Sequence, residues 1–148
     1  MWRSNGRPSR DNWTVADLDA AFALLAGMDS VDEDHIGILG HCWGGRVKVA
    51  FADGGTPPID LAERIACPVM GVFGNEDKGP SPDDVNDYEA ALRLAGVTCE
   101  FHRYDGAGQS FQDSGNAERY RPEQSEDAWA KSLDFLARNL NQEGETDE

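Results

Sequence analysis

Apolar positions recur with two different periods along this chain of 148 residues. Val15, Leu18, Phe22 and Leu25 repeat at helical spacing, which predicts a helix over Val15–Ala26 with that stripe facing a core. Thr14 is its expected N-cap, with Asp17 as a short variant of the capping box, and Gly27 is its stop. A brief apolar run, Ile36–Leu39, then leads into a glycine-rich turn and reads as a strand. Pro68–Gly74 (PVMGVFG) is apolar almost throughout, as a central parallel strand is. Ser81 caps a helix with Pro82 in its first position, Val85, Tyr88 and Leu92 face inward, and Gly96 ends it. Val97–Tyr104 is a further strand. Ser125–Leu140 is a last helix, its stripe made of Trp129, Leu133, Leu136 and Leu140. Between the first two strands the pattern is mixed. Arg46–Ala52 alternates like a strand where the preceding turn calls for a helix, and Ile59–Ile65 is a short amphipathic piece.

Strands alternating with helices predict an α/β architecture, a parallel sheet of about three to four strands flanked by helices. Residues 14–140 are expected to form one domain, with Met1–Trp13 a flexible segment and 141–148 an acidic, disordered tail. In such sheets chemistry gathers beyond the carboxyl ends of the strands. Three loops meet that condition: the turn at Cys42, the loop Asn75–Pro80 and the loop Asp105–Ser110.

Charge narrows the partners. The 28 acidic and 13 basic residues give a net charge of −15, which argues against nucleic acid or an anionic membrane surface. Met1–Arg10 lacks the apolar core of a signal peptide, and no run is long enough to span a bilayer. The three cysteines, Cys42, Cys67 and Cys99, have no paired spacing, so reduced thiols in a cytoplasmic setting are expected. Asp83, Asp84 and Asp87 open a helix, where acids serve the dipole. No metal-ligand spacing occurs, so no metal and no cofactor are expected. A small sheet with an apolar strand near its edge leaves unpaired backbone groups, and self-association is expected.

The chemistry-bearing stretch is Gly40-His41-Cys42-Trp43-Gly44-Gly45-Arg46. Its Gly-x-Cys-x-Gly spacing is that of a nucleophile elbow with cysteine in place of serine, because flanking glycines permit the sharp turn that exposes a side chain at a strand's tip. The competing reading is a buried cysteine beside a glycine turn, since free cysteine packs as a small hydrophobe. His41, next to the thiol, reads as a packing or surface residue. His102 lies within a strand, and His35 sits in an acidic turn.

GHCWGGR, IDLAERIACPVMGVFGNED, PSPDDV and YDGAGQSFQDSGNAERYRPEQSEDAW together resemble the dienelactone hydrolase family. The resemblance covers most of Asp17–Leu140. It implies an α/β-hydrolase fold and a Cys-His-Asp triad acting on small esters or lactones. By position it makes Cys42 the nucleophile, Asp77 the acid that orients the base, the Trp43 backbone N–H an oxyanion donor, and Arg46 a substrate-binding residue. The last loop of the family reads G-A-G-H-x-F, and its histidine is the base. Here that position is Gln109, which accepts no proton near neutral pH. Family members also carry a further half-domain ahead of the helix at Val15, with early strands and a second oxyanion donor. The region Val47–Thr56 is shorter here than in the family. Two readings follow: a dienelactone hydrolase-like ester or lactone hydrolase impaired by Gln109, or a non-catalytic α/β remnant serving as a binding or interaction module.

Overall fold

A computed structural model describes residues 10–42 and 62–141, with side chains from Ala16 onward. Its elements run α1 (Arg10–Ala26), a 3-10 helix (Glu33–His35), β1 (Val69–Gly74), α2 (Pro82–Leu94), β2 (Cys99–Tyr104) and α3 (Pro122–Leu140). The strands β1 and β2 pair in parallel, with Val69 opposite Cys99 and Gly74 opposite Tyr104. Helix α2 is the crossover between them, as a parallel connection requires.

Local signals account for α2. Ser81 adopts an extended backbone, its side chain accepts from the Asp84 N–H, and the Asp84 carboxylate accepts from the Ser81 N–H in return. At the other end Gly96 takes a φ of +77°. The N–H of Val97 donates to the Leu92 carbonyl at 2.9 Å and that of Gly96 to the Arg93 carbonyl at 3.1 Å. That pair of bonds is a Schellman closure, which needs a left-handed residue and so favours glycine. Because it engages the Val97 N–H, β2 begins at Cys99 rather than at Val97.

Alternate residues of the sheet face opposite helices. Val69 joins Leu92 and Ala62 in one buried cluster, with Tyr88 and Phe101 packed against it. Tyr104, Ala107, Phe111 and Ala128 form the other, with Val72 against them. Ion pairs tie the layers together. Arg103 on β2 reaches Glu89 on α2 at 2.9 Å, and Glu100 on β2 meets Arg138 on α3 at 2.9 Å. The Tyr104 hydroxyl donates to Asp127 of α3 at 2.7 Å.

The capping box supplies a prediction with a pH signature. Bonds from the Ser81 side chain and backbone hold the Asp84 carboxyl below the usual aspartate range. A carboxyl whose folded value is depressed stabilises the fold above its unfolded value and ceases to as pH falls through the folded one. Ser81→Ala is therefore expected to lower stability by about 1 kcal/mol at neutral pH. The gap between variant and parent narrows below about pH 4. Thermal unfolding across that interval reads both effects, and a pH-independent gap would contradict the coupling.

Four expectations are corrected. Helix α1 starts at Arg10, so Thr14 lies inside it rather than capping it, and residues 10–13 are helical rather than loop. No glycine or proline follows Pro8 until Gly27, so nothing in the sequence stops the helix from extending back past Thr14. The stripe of α1 is not buried: Phe22 is 45% and Leu25 41% exposed. On α3 the fully buried residue is Ala128, while Trp129 and Leu133 are each 49% exposed. The close approach of α3 to Tyr104 and Phe111 selects the small side chain. Finally, 36–40 carries no strand ladder among the described residues. Ile38 and Leu39 stay 44% and 45% exposed, so little burial rewards pairing there. The expectations for Val47–Thr56, Arg46–Ala52 and the tail beyond Asn141 lie outside the described residues.

Candidate functional site

Two loops leave the carboxyl ends of β1 and β2 side by side. The N–H of Asn75 donates to the Tyr104 carbonyl at 2.9 Å, and that of Glu76 to the Ala107 carbonyl at 2.9 Å. The Asn75 side-chain amide adds a bond to Asp105 at 2.6 Å. This close approach explains Gly74: a Cβ there would stand 2.3 Å from the Ala107 carbonyl oxygen. Only glycine fits at that contact.

The joined loops form one wall of a cleft of about 360 Å³, lined by Asp77, Gln109, Lys78, Glu118, Arg119 and Arg121 among others. Asp77 and Gln109, 32 positions apart in the chain, thus share one cavity. They are not bonded to each other. The Asp77 carboxylate accepts from the Gly79 N–H at 3.0 Å. The Gln109 amide instead donates to the Cys42 sulfur at 3.5 Å.

Cys42 itself is exposed and takes a φ of +52°. A non-glycine residue in the left-handed region is held there against its preference, as a residue at the tip of a nucleophile elbow is. Cys42 thus stands exposed rather than packed as a small hydrophobe. Gly37, in the segment leading to the turn, lies against Leu136 and Leu140 of α3. Trp43 and Arg46 lie outside the described residues.

The remaining candidates sit elsewhere. His41 is exposed. His102 lies half-buried on β2, 3.9 Å from Glu100. The His35 ring bonds Asp32 at 2.7 Å, fixing the turn ahead of 36–42. Among the described residues no group of three His, Cys, Asp or Glu side chains is placed to hold a metal. Nor is any described helix long and apolar enough to cross a membrane.

Arg121 is a positioning residue that sequence reasoning missed. Its guanidinium donates to the carbonyls of Gly106 and Glu118, each at 2.9 Å, and of Tyr120 at 3.0 Å. It thereby clasps the loop carrying Gln109 to the turn before α3. Bonds to main-chain carbonyls leave no mark in a sequence, so only its place just ahead of Pro122 could have drawn notice.

Comparison with known proteins agrees on one kinship. The profile of the dienelactone hydrolase family matches residues 1–140. A Methylorubrum extorquens protein, by name a carboxymethylenebutenolidase, is 30% identical over 85% of this chain and 50% of its own length. An Escherichia coli K12 protein of the same name is 28% identical over 85% of this chain and 54% of its own. A crystal structure from Klebsiella pneumoniae, described as a dienelactone hydrolase, superposes with a TM-score of 0.77 at 27% identity. That match covers 86% of this chain and 62% of the other. The chain spans about half the length of the curated relatives it matches.

Proposed function

The chain belongs to the dienelactone hydrolase family, and from that premise we propose that it carries the nucleophile side of a carboxylic ester or lactone hydrolase, with Cys42 as nucleophile. In this reading Cys42 Sγ attacks the carbonyl carbon of a small ester or lactone. The alkoxide leaves, a thioester to Cys42 remains, and water cleaves it. Asp77 and Gln109 occupy the positions of acid and base. The Trp43 N–H takes the oxyanion, and Arg46 takes a polar group of the substrate. The observation that carries the reading is the left-handed, exposed Cys42 with its sulfur 3.5 Å from the Gln109 amide. A base at position 109 could take the thiol proton; an amide cannot.

Slow turnover is the expected result. General-base assistance is worth about a hundred- to ten-thousand-fold, and glutamine forgoes it. Hydrolysis of p-nitrophenyl acetate is expected to be weak and lost in Cys42→Ala, while Cys67→Ala, at the other exposed thiol, leaves it unchanged. Equal loss in both variants, or none in Cys42→Ala, would contradict the assignment and favour a non-catalytic binding module.

A further inference from the structure

We propose that the Cys42 site passes its acyl group to a small thiol in preference to water, so that this chain acts as an acyl-thiol transferase where a histidine at 109 would make a hydrolase. The inference rests on the nucleophile reading of Cys42 and deepens it.

The argument is one of protons. Hydrolysis of a thioester needs a water molecule to lose a proton as it attacks, and a positioned base must take it. Transfer to a thiol makes no such demand on the protein. The acceptor enters as a thiolate, the reactive form of a thiol, its proton already left in solution. Its sulfur lone pair adds to the thioester carbonyl, and the tetrahedral adduct collapses by breaking the bond to Cys42 Sγ. That bond's electron pair returns to Sγ. One thiolate is consumed, one is produced, and no proton crosses the site.

What such a step does require is a group that stabilises charge on Sγ as the bond breaks. Gln109 is that group. Its Nε2 donates to Cys42 Sγ at 3.5 Å, and an amide N–H stabilises an anion without giving up its proton. The site is also open enough for a second molecule. Cys42 and Gln109 are both exposed, and Gln109 lines a cleft of about 360 Å³ together with Asp77, Lys78 and Arg119. One side chain thus withholds help from water and offers it to sulfur.

The test loads Cys42 from p-nitrophenyl acetate, removes excess ester, confirms the acetyl group on the Cys42 peptide by mass spectrometry, and adds N-acetylcysteamine. Released acetyl thioester and free acetate are then counted. The parent chain is expected to release mainly thioester. In Gln109→His the ratio shifts toward acetate by about a hundred-fold or more. Gln109→Leu keeps acetate release low and slows thiol transfer about ten-fold, the loss of one hydrogen bond to a charged sulfur; a merely structural glutamine would not separate the two. Acetate as the main product of a parent chain acetylated at Cys42 would overturn this inference and leave the nucleophile assignment standing. A Cys42 that never carries acetyl would overturn both.

Discussion

Gln109→His is expected to raise hydrolysis of p-nitrophenyl acetate by about a hundred- to ten-thousand-fold. The position is already in place, because the Gln109 side chain ends 3.5 Å from Cys42 Sγ. An imidazole there can accept the thiol proton and return it to the leaving group, work that an amide cannot do. The second requirement is an orienting acid, since a base acts best when a third group holds its ring. Asp77 lines the same cleft, with one carboxylate oxygen taken by the Gly79 N–H. Cys42→Ala in the Gln109→His background is expected to erase the gain. A folded Gln109→His chain no faster than its parent would contradict the assignment of position 109 as the site of the base and favour the non-catalytic binding module.

Gly74→Ala is expected to damage stability and site together. The added methyl would stand 2.3 Å from the Ala107 carbonyl oxygen and 2.6 Å from its carbon, and Ala107 is fully buried. Main chain cannot yield as a flexible side chain does, so the Asp105–Ser110 loop must move. Overpacking of this kind costs about 1–3 kcal/mol. The displaced loop carries Gln109, and a shift of about 1 Å can cost a hundred-fold in rate. Gly79→Ala is the control, because no atom lies within 4 Å of a Cβ at that position. Urea unfolding together with the activity of Gln109→His chains bearing each substitution reads both effects. Equal tolerance of the two would contradict the tight approach of the loops.

The parts of the fold legible in the sequence are those with local causes. Ser81, Pro82 and Gly96 announced α2 because a cap, a fixed φ and a left-handed closure each act within one turn of chain. The strand β1 stood out as an apolar run between turns, and β2 as the mixed segment CEFHRY between the stop at Gly96 and the loop at Asp105. Periodicity alone misled where burial depends on what lies opposite. The stripes over Val15–Leu25 and Trp129–Leu140 have helical spacing, yet Phe22, Leu25, Trp129 and Leu133 stay 41–49% exposed, while Leu18, Leu136 and Leu140 are half-buried. Ala128, too small to attract notice, is the α3 residue that packs on Tyr104 and Phe111. The site divides in the same way. Cys42 was legible from its flanking glycines. The rule that chemistry gathers beyond the carboxyl ends of parallel strands placed its turn beside the Asp105–Ser110 loop, but the pairing with Gln109, 67 positions later, came through kinship. Arg121 had no signal beyond its place just ahead of Pro122, because its partners are carbonyls that every residue possesses.

The central claim is that Cys42 is the acyl-accepting nucleophile, and the most direct measurement is where an acyl group lands. The chain, treated with p-nitrophenyl acetate, quenched in acid and digested, is mapped by mass spectrometry over time. The account predicts acetyl on the Cys42 peptide ahead of those of Cys67 and Cys99, and a longer-lived adduct in the parent than in Gln109→His. Acetyl on Cys67 while Cys42 remains unmodified, in a chain shown to be folded, would contradict it.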